Sequence, residues 1–156
     1  MNMSAIYISV LAICKRHAER LIWAKNRLRD RFPLTATTIN ELTEEELAVI
    51  DQFVLRFTKL QDAMGVKLFP AVLELSQEPG ELSAFLDKLN RLEKIGAIPS
   101  VEKWLLLREM RNQFSHDYPD DPKLQVAILN KAYVLSEDLL LVLKQMELLA
   151  NGYLNE

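Results

Sequence analysis

The fold class of this chain is decided by residues 122–152, which read PKLQVAILNKAYVLSEDLLLVLKQMELLANG. Apolar side chains recur there every three or four residues, the spacing of one buried face on an α-helix. They are Leu124, Ile128, Ala132, Leu135, Leu139, Val142, Met146 and Leu149. Asp121 is a suitable N-cap with Pro122 at the first helical position, and Gly152 is typical of a helix end. This segment therefore predicts a long amphipathic helix that packs against other helices.

The rest of the sequence carries similar helix signals. It predicts three further helices from Ser4 to Arg31, from Leu82 to Ile95 and from Ser100 to Pro119. Between the first two of these, another helix is predicted to begin at the capping box Thr43–Glu46 and to run toward Leu75, with bends at Gly65 and Pro70. The 156 residues include only 4 glycines and 6 prolines, and they show no clear strand, repeat or linker. We therefore expect an all-α protein, a single domain over residues 1–156 folded as an up-and-down bundle of four to five helices.

Charge is spread unevenly along the chain, whose formal net charge is −3. Residues 1–31 hold seven basic and two acidic side chains, so the first helix is positive although the whole protein is acidic. A basic stripe on one helix can attract a phosphate backbone or an acidic protein. The same charges can also be the solvated flank of an amphipathic helix, and the sequence leaves both interpretations open.

The sequence offers few residues suited to a disulfide, a metal or a cofactor. One cysteine, Cys14, and two histidines, His17 and His116, are too few for a disulfide framework or for most zinc sites. It contains no glycine-rich phosphate loop and no Gly-x-Ser-x-Gly motif, so we expect neither cofactor nor metal. The apolar run Ile6–Cys14 is too short to span a membrane, and its positive charges follow it, which predicts a cytoplasmic protein.

Residues 111–118, which read RNQFSHDY, have the composition of a reactive site. His116 lies near the end of the fourth helix, where the helix dipole and Asp117 are expected to raise its pKa and suit it to acid–base catalysis. Arg111 precedes it by five residues, about 140° around a regular helix. The two side chains therefore converge only if the helix loosens or if a second copy supplies one of them. The alternative is that these residues are only the polar end of a helix and have no catalytic role.

The pattern Arg-Asn-x-x-x-His-x-Tyr on the penultimate helix of a small all-helical chain resembles the HEPN superfamily. The closest likeness is to HepT-like toxins, whose signature of arginine, four residues, histidine, one residue and tyrosine matches Arg111, His116 and Tyr118. Asn112 matches the polar residue favoured after the arginine. The likeness extends along the chain in helix order, and the stretch 53–62, FVLRFTKLQD, looks like the second-helix pattern of this group.

This resemblance implies a two-fold homodimer in which two Arg-x4-His motifs face each other in a cleft and cleave RNA without a metal. His116 would be the acid–base residue, Arg111 would hold the phosphate, and Asn112 would orient the substrate or the motif. Asp117 is a supporting candidate from its position beside His116, where it either tunes the imidazole or is simply solvated. It also implies a toxin–antitoxin pair with a small nucleotidyltransferase of the MNT type. That partner would neutralise the toxin by attaching AMP to Tyr118. An alternative is a non-catalytic substrate-binding subunit of such a nucleotidyltransferase, and a third possibility is a purely structural helical dimer.

Five other residues have less direct links to function. We predict that Trp104, Trp23 and Cys14 serve packing, although Trp104 shares a helix face with Arg111 and stacking on a base is its alternative role. Phe114 is predicted to anchor the motif to the core. His17 lies on the apolar stripe of the first helix, which favours an interior or interface position with a hydrogen bond.

Overall fold

The computed structural model describes residues 2–76, 84–114 and 121–154. These ranges contain six α-helices: α1 (Met3–Leu28), α2 (Glu44–Ala63), α3 (Phe69–Ser76), α4 (Phe85–Lys94), α5 (Val101–Phe114) and α6 (Pro122–Leu154). Short 3-10 helices at Arg29–Arg31 and Thr38–Glu41 lie between α1 and α2. No strand occurs within the described ranges, and the helices pack as a bundle, which confirms the predicted all-α fold class.

The predicted second helix is present as α2 and α3, which a π-helical turn at Met64–Leu68 joins without a break. The turn begins beside Gly65, one of the two positions where a bend is predicted. A Cβ at Gly65 would lie 3.2 Å from Cζ2 of Trp104. Glycine therefore lets the turn approach the indole of α5 closely, and the wider turn changes which side chains of α2 and α3 face α5.

The start of α2 is fixed by the predicted capping box. Thr43 Oγ1 accepts a hydrogen bond from the Glu46 amide, and the Glu46 carboxylate accepts one from the Thr43 amide, both at 3.1 Å. Arg31 at the end of the first segment donates to the same carboxylate from Nε and Nη2, at 2.5 and 2.9 Å. These contacts, together with one between His17 and Arg56, show that α1 and α2 run antiparallel.

Buried side chains from all six helices form one core cluster. Aromatic residues of α2 are at its centre: the Phe53 ring lies 6.1 Å from that of Tyr133 on α6, and the Phe57 ring packs edge-on against Phe114 at 5.6 Å. The prediction that Phe114 anchors the motif helix to the core is therefore confirmed. Cys14 is also buried as predicted.

Two predictions about single residues are wrong. Trp23 does not pack in the core, because 44% of its surface is exposed and the Arg27 guanidinium lies 5.2 Å from its ring centroid. Gly152 does not end the last helix, since α6 continues to Leu154. Gly96, by contrast, has a φ of +84° just after α4, which is the left-handed conformation that favours glycine at this position.

The two tryptophans provide a matched test of the core. Trp104 is only 1% exposed and its ring lies 4.4 Å from that of Phe69. We expect Trp104→Ala to lower the free energy of unfolding by about 3–5 kcal/mol, because it removes a buried indole that the surroundings cannot refill. The exposed Trp23→Ala should change it by less than about 1 kcal/mol. Urea unfolding followed by circular dichroism measures both, and equal losses would contradict the assigned burial.

Candidate functional site

A cleft of about 410 Å³ opens beside the predicted motif. Its walls come from α2, the π-helical turn, the start of α3, the first turns of α4, and α5. Its charged lining consists of Lys88, Arg108 and Arg111 against a single carboxylate, Asp62. The described part of the cleft is therefore positive, although the chain has a net charge of −3. A concave surface with converging cations attracts anions.

Arg111 is held at the cleft by α2. Its Nη2 donates a hydrogen bond to Asp62 Oδ2 at 2.9 Å, and its Nε lies 2.8 Å from Oδ1 in a contact without hydrogen-bond alignment. Its Nη1 donates to Asn112 Oδ1 at 3.2 Å. About a third of each charged side chain stays exposed. The arginine is thus oriented by a carboxylate along one edge while solvent reaches part of the guanidinium.

A second cationic group lies along the same cleft. The Arg108 guanidinium sits 4.6 Å from the ring centroid of Phe85, which is 37% exposed at the start of α4. Lys88 follows one helical turn after Phe85 and also lines the cleft. A guanidinium held over an aromatic ring by a cation–π contact can still donate hydrogen bonds to an anion.

The structure describes only part of the predicted site. Arg111 and Asn112 lie in the last turn of α5 and share the cleft, whereas His116, Asp117 and Tyr118 lie outside the described residues. Trp104 shares the Arg111 face as its spacing predicts, but it is buried against Phe69. Packing is therefore its observed role.

Sequence reasoning missed three lining residues: Asp62, Lys88 and Arg108. Asp62 was visible as the last residue of the stretch 53–62, but nothing in one sequence links it to a partner 49 positions away. Lys88 and Arg108 look like ordinary solvated charges on amphipathic helices, and only the packing of α4 against α5 brings them together.

Comparison of the chain with protein-family models, with curated proteins and with solved structures finds no match. The resemblance to HEPN proteins therefore stays a prediction. Within residues 2–76, 84–114 and 121–154, no group of three or more His, Cys, Asp or Glu side chains is arranged to hold a metal ion. In the same ranges, no helix is both long and apolar enough to cross a membrane.

A second positive surface lies where α1 packs against α2. Arg56 Nη1 donates to His17 Nδ1 at 2.9 Å, which requires the unprotonated form of that nitrogen. Burial lowers the pKa of His17, and the positive charges of Arg56, Lys59, Arg16 and Lys67 lower it further. The predicted hydrogen bond of His17 is confirmed. The sequence did not indicate the four cations around it.

This arrangement makes stability depend on pH. Because the pKa of His17 is lower in the folded state than its usual 6.5, the unfolded chain binds more protons between the two values. Stability from this residue is therefore complete above about pH 6.5 and is lost as the pH falls below it. We expect His17→Gln, which keeps an acceptor for Arg56, to flatten the change in unfolding free energy between pH 7.5 and about 5.

Urea unfolding at several pH values measures this slope. Comparing the variant with the wild type cancels the titration of His116, which both proteins retain. Glu46 does not interfere: hydrogen bonds from Arg31 and Thr43 lower its pKa to about 2, so its contribution is lost only below about pH 4.5. An unchanged slope in His17→Gln would contradict the assignment.

Proposed function

We propose that this protein is a metal-independent endoribonuclease toxin of a HEPN–MNT pair. The observation that carries the proposal is the positive cleft in which Arg111 and Asn112, the first two residues of the motif, meet Arg108 and Lys88. A cleft with three cations and one carboxylate suits a phosphodiester, since Arg and Lys both bind phosphate oxygens. The resemblance supplies the reaction, and the charge of the cleft agrees with it.

The proposed reaction is an internal transesterification. A base removes the proton of a ribose 2′-hydroxyl, whose oxygen attacks the adjacent phosphorus while an acid protonates the departing 5′-oxygen. The products are a 2′,3′-cyclic phosphate and a 5′-hydroxyl, so atoms and charge balance. His116 is proposed as acid–base residue with Asp117 tuning it. Arg111 stabilises the negative charge that develops on the phosphoryl oxygens.

This chemistry favours a two-fold homodimer. One imidazole cannot act as base and acid in the same step, whereas two facing motifs supply two histidines and two arginines. We therefore propose that the cleft is completed by a second copy. Light scattering coupled to size exclusion measures the assembly directly.

The proposed antitoxin is a nucleotidyltransferase of the MNT type acting in the cytoplasm. Transfer of AMP from ATP to the Tyr118 hydroxyl would release pyrophosphate and leave a phosphodiester beside the motif. The added negative charge would repel the phosphate of an RNA and block access to the cleft.

A second candidate is the non-catalytic subunit of a nucleotidyltransferase. The ion pair of Arg111 with Asp62 favours it, because an arginine already paired with a carboxylate can serve the fold alone. This candidate predicts a stable complex with the nucleotidyltransferase and no RNA cleavage at any concentration.

The deciding experiment is incubation of purified protein with cellular RNA in EDTA, followed by analysis of the new ends. We expect cleavage that leaves 2′,3′-cyclic phosphates. His116→Ala protein, prepared identically, controls for contaminating nucleases. Equal cleavage by both preparations, or none by either, would contradict the ribonuclease proposal, and complex formation with the nucleotidyltransferase would then support the second candidate.

A further inference from the structure

The positive surface between α1 and α2 is separate from the Arg111 cleft. We call Arg16, Arg56, Lys59 and Lys67, the four cations around His17, the α1–α2 basic surface. Lys59, Lys67 and Arg16 are exposed, and Arg56 is half-buried against His17. The surface and the cleft share one element, the π-helical turn Met64–Leu68, in which Val66 lines the cleft and Lys67 belongs to the surface.

Three basic side chains of the first segment are neutralised by carboxylates, whereas in the described ranges the cations of the α1–α2 basic surface are not. Lys15 pairs with Glu147, Lys25 with Glu137 and Arg31 with Glu46. Within the part of the chain that the structure describes, no ion pair involves any cation of the α1–α2 basic surface. Buried against His17, Arg56 Nε also lacks a hydrogen-bond partner there. Like charges held together repel one another, so this arrangement costs stability unless an anion binds it.

The exposed face of α1 extends this surface. Arg16, Arg20, Trp23 and Arg27 follow at intervals of four, three and four residues, which places them along one side of the helix. Trp23 is 44% exposed beside the Arg27 guanidinium. An exposed aromatic ring can stack on a base, and the arginines beside it can donate pairs of hydrogen bonds to phosphates. These are the two contacts that bind single-stranded nucleic acid.

We propose that the α1–α2 basic surface binds the phosphate backbone of a single-stranded RNA whose scissile phosphate lies in the Arg111 cleft, with Trp23 available to stack a base. The choice of RNA rests on the proposed function, whereas the anion-binding surface itself does not. An acidic protein would also match these charges, whereas a single-stranded RNA matches them and can stack a base on the exposed tryptophan; competition by polyglutamate separates the two ligands.

The test measures binding of a fluorescent 2′-O-methyl RNA oligonucleotide, which lacks the attacking hydroxyl, by anisotropy over a series of salt concentrations. The variant Arg16→Gln/Lys59→Gln removes two cations of the surface. Its matched control, Lys123→Gln/Lys131→Gln, removes two exposed lysines of α6. We expect the first to bind about tenfold more weakly with a salt slope smaller by about 1.4, and the control to bind like the wild type.

Thermal unfolding tests whether these cations stabilise the fold instead of binding RNA. Because the substitution relieves repulsion, we expect the melting temperature of Arg16→Gln/Lys59→Gln to be unchanged or higher, whereas cations that hold the fold together would lower it. Loss of binding without loss of stability therefore supports the proposal.

Several outcomes would overturn it. They are no binding by the wild type, unchanged binding by the surface variant, equal losses in the surface variant and the control, or equally effective competition by polyglutamate. A different outcome would contradict the proposed function. A wild type that binds the oligonucleotide through this surface but cleaves no RNA contradicts the ribonuclease alone, while cleavage with unchanged binding by the surface variant contradicts this inference alone.

Discussion

His116→Ala is expected to slow RNA cleavage by about two to four orders of magnitude. The reason is chemical: without a metal, proton transfer from the 2′-hydroxyl and to the departing oxygen needs a group that gains and loses a proton near neutral pH. The imidazole is the side chain suited to this, and the only other histidine of the chain, His17, is bound to Arg56 on another surface.

His17 provides the matched control for this prediction. His17→Gln removes the other imidazole but leaves the motif intact, so its cleavage rate should stay within about a factor of three of the wild type. Rates are measured at saturating RNA, and circular dichroism and light scattering check that both variants keep their helices and assembly. Comparable loss in the two variants, with fold and assembly retained, would remove His116 from its proposed role.

Regular features of the fold were predictable because they depend on local sequence. The capping box at Thr43 and the apolar stripe of α6 each follow from residues close together in the chain. The π-helical turn after Ala63 was predicted only as a bend, because its form depends on contact with Trp104 in another helix. The exposure of Trp23 was missed for a related reason, since spacing alone does not reveal which neighbour covers a helix face.

The candidate site was predictable only in its motif. Arg111 and Asn112 were found because they belong to a short sequence pattern. Asp62 was missed as the partner of Arg111, because an ion pair between distant helices leaves no trace in a single sequence. The balance of charge was missed in the same way: residues 1–31 are recognisably basic, but which cations are neutralised depends on the acids that α2 and α6 bring to them.

The Asp62–Arg111 pair yields the second large expected effect, because in the ribonuclease the guanidinium can act either on the phosphate or in the fold alone. Arg111→Ala should lower kcat about 10²–10³-fold if the guanidinium stabilises charge in the transition state. Arg111→Lys should recover little, since an ammonium lacks the planar fork that lets one edge face Asp62 while another faces a phosphate. The loss of stability should be small, about 0–1 kcal/mol, because the pair is partly exposed.

The variant Asp62→Asn distinguishes two roles of Asp62, which are to orient the Arg111 guanidinium and to set the charge of the cleft. The amide keeps the shape of the side chain but removes its negative charge, so the cleft becomes more positive and should bind RNA more tightly, which lowers KM. The guanidinium is then oriented less firmly, and kcat should fall about five- to tenfold, far less than in Arg111→Ala. Steady-state kinetics of the single and double variants measure this split. If the pair serves the fold alone, Arg111→Ala and Asp62→Asn will lower the melting temperature by similar amounts, and cleavage per folded molecule will not change.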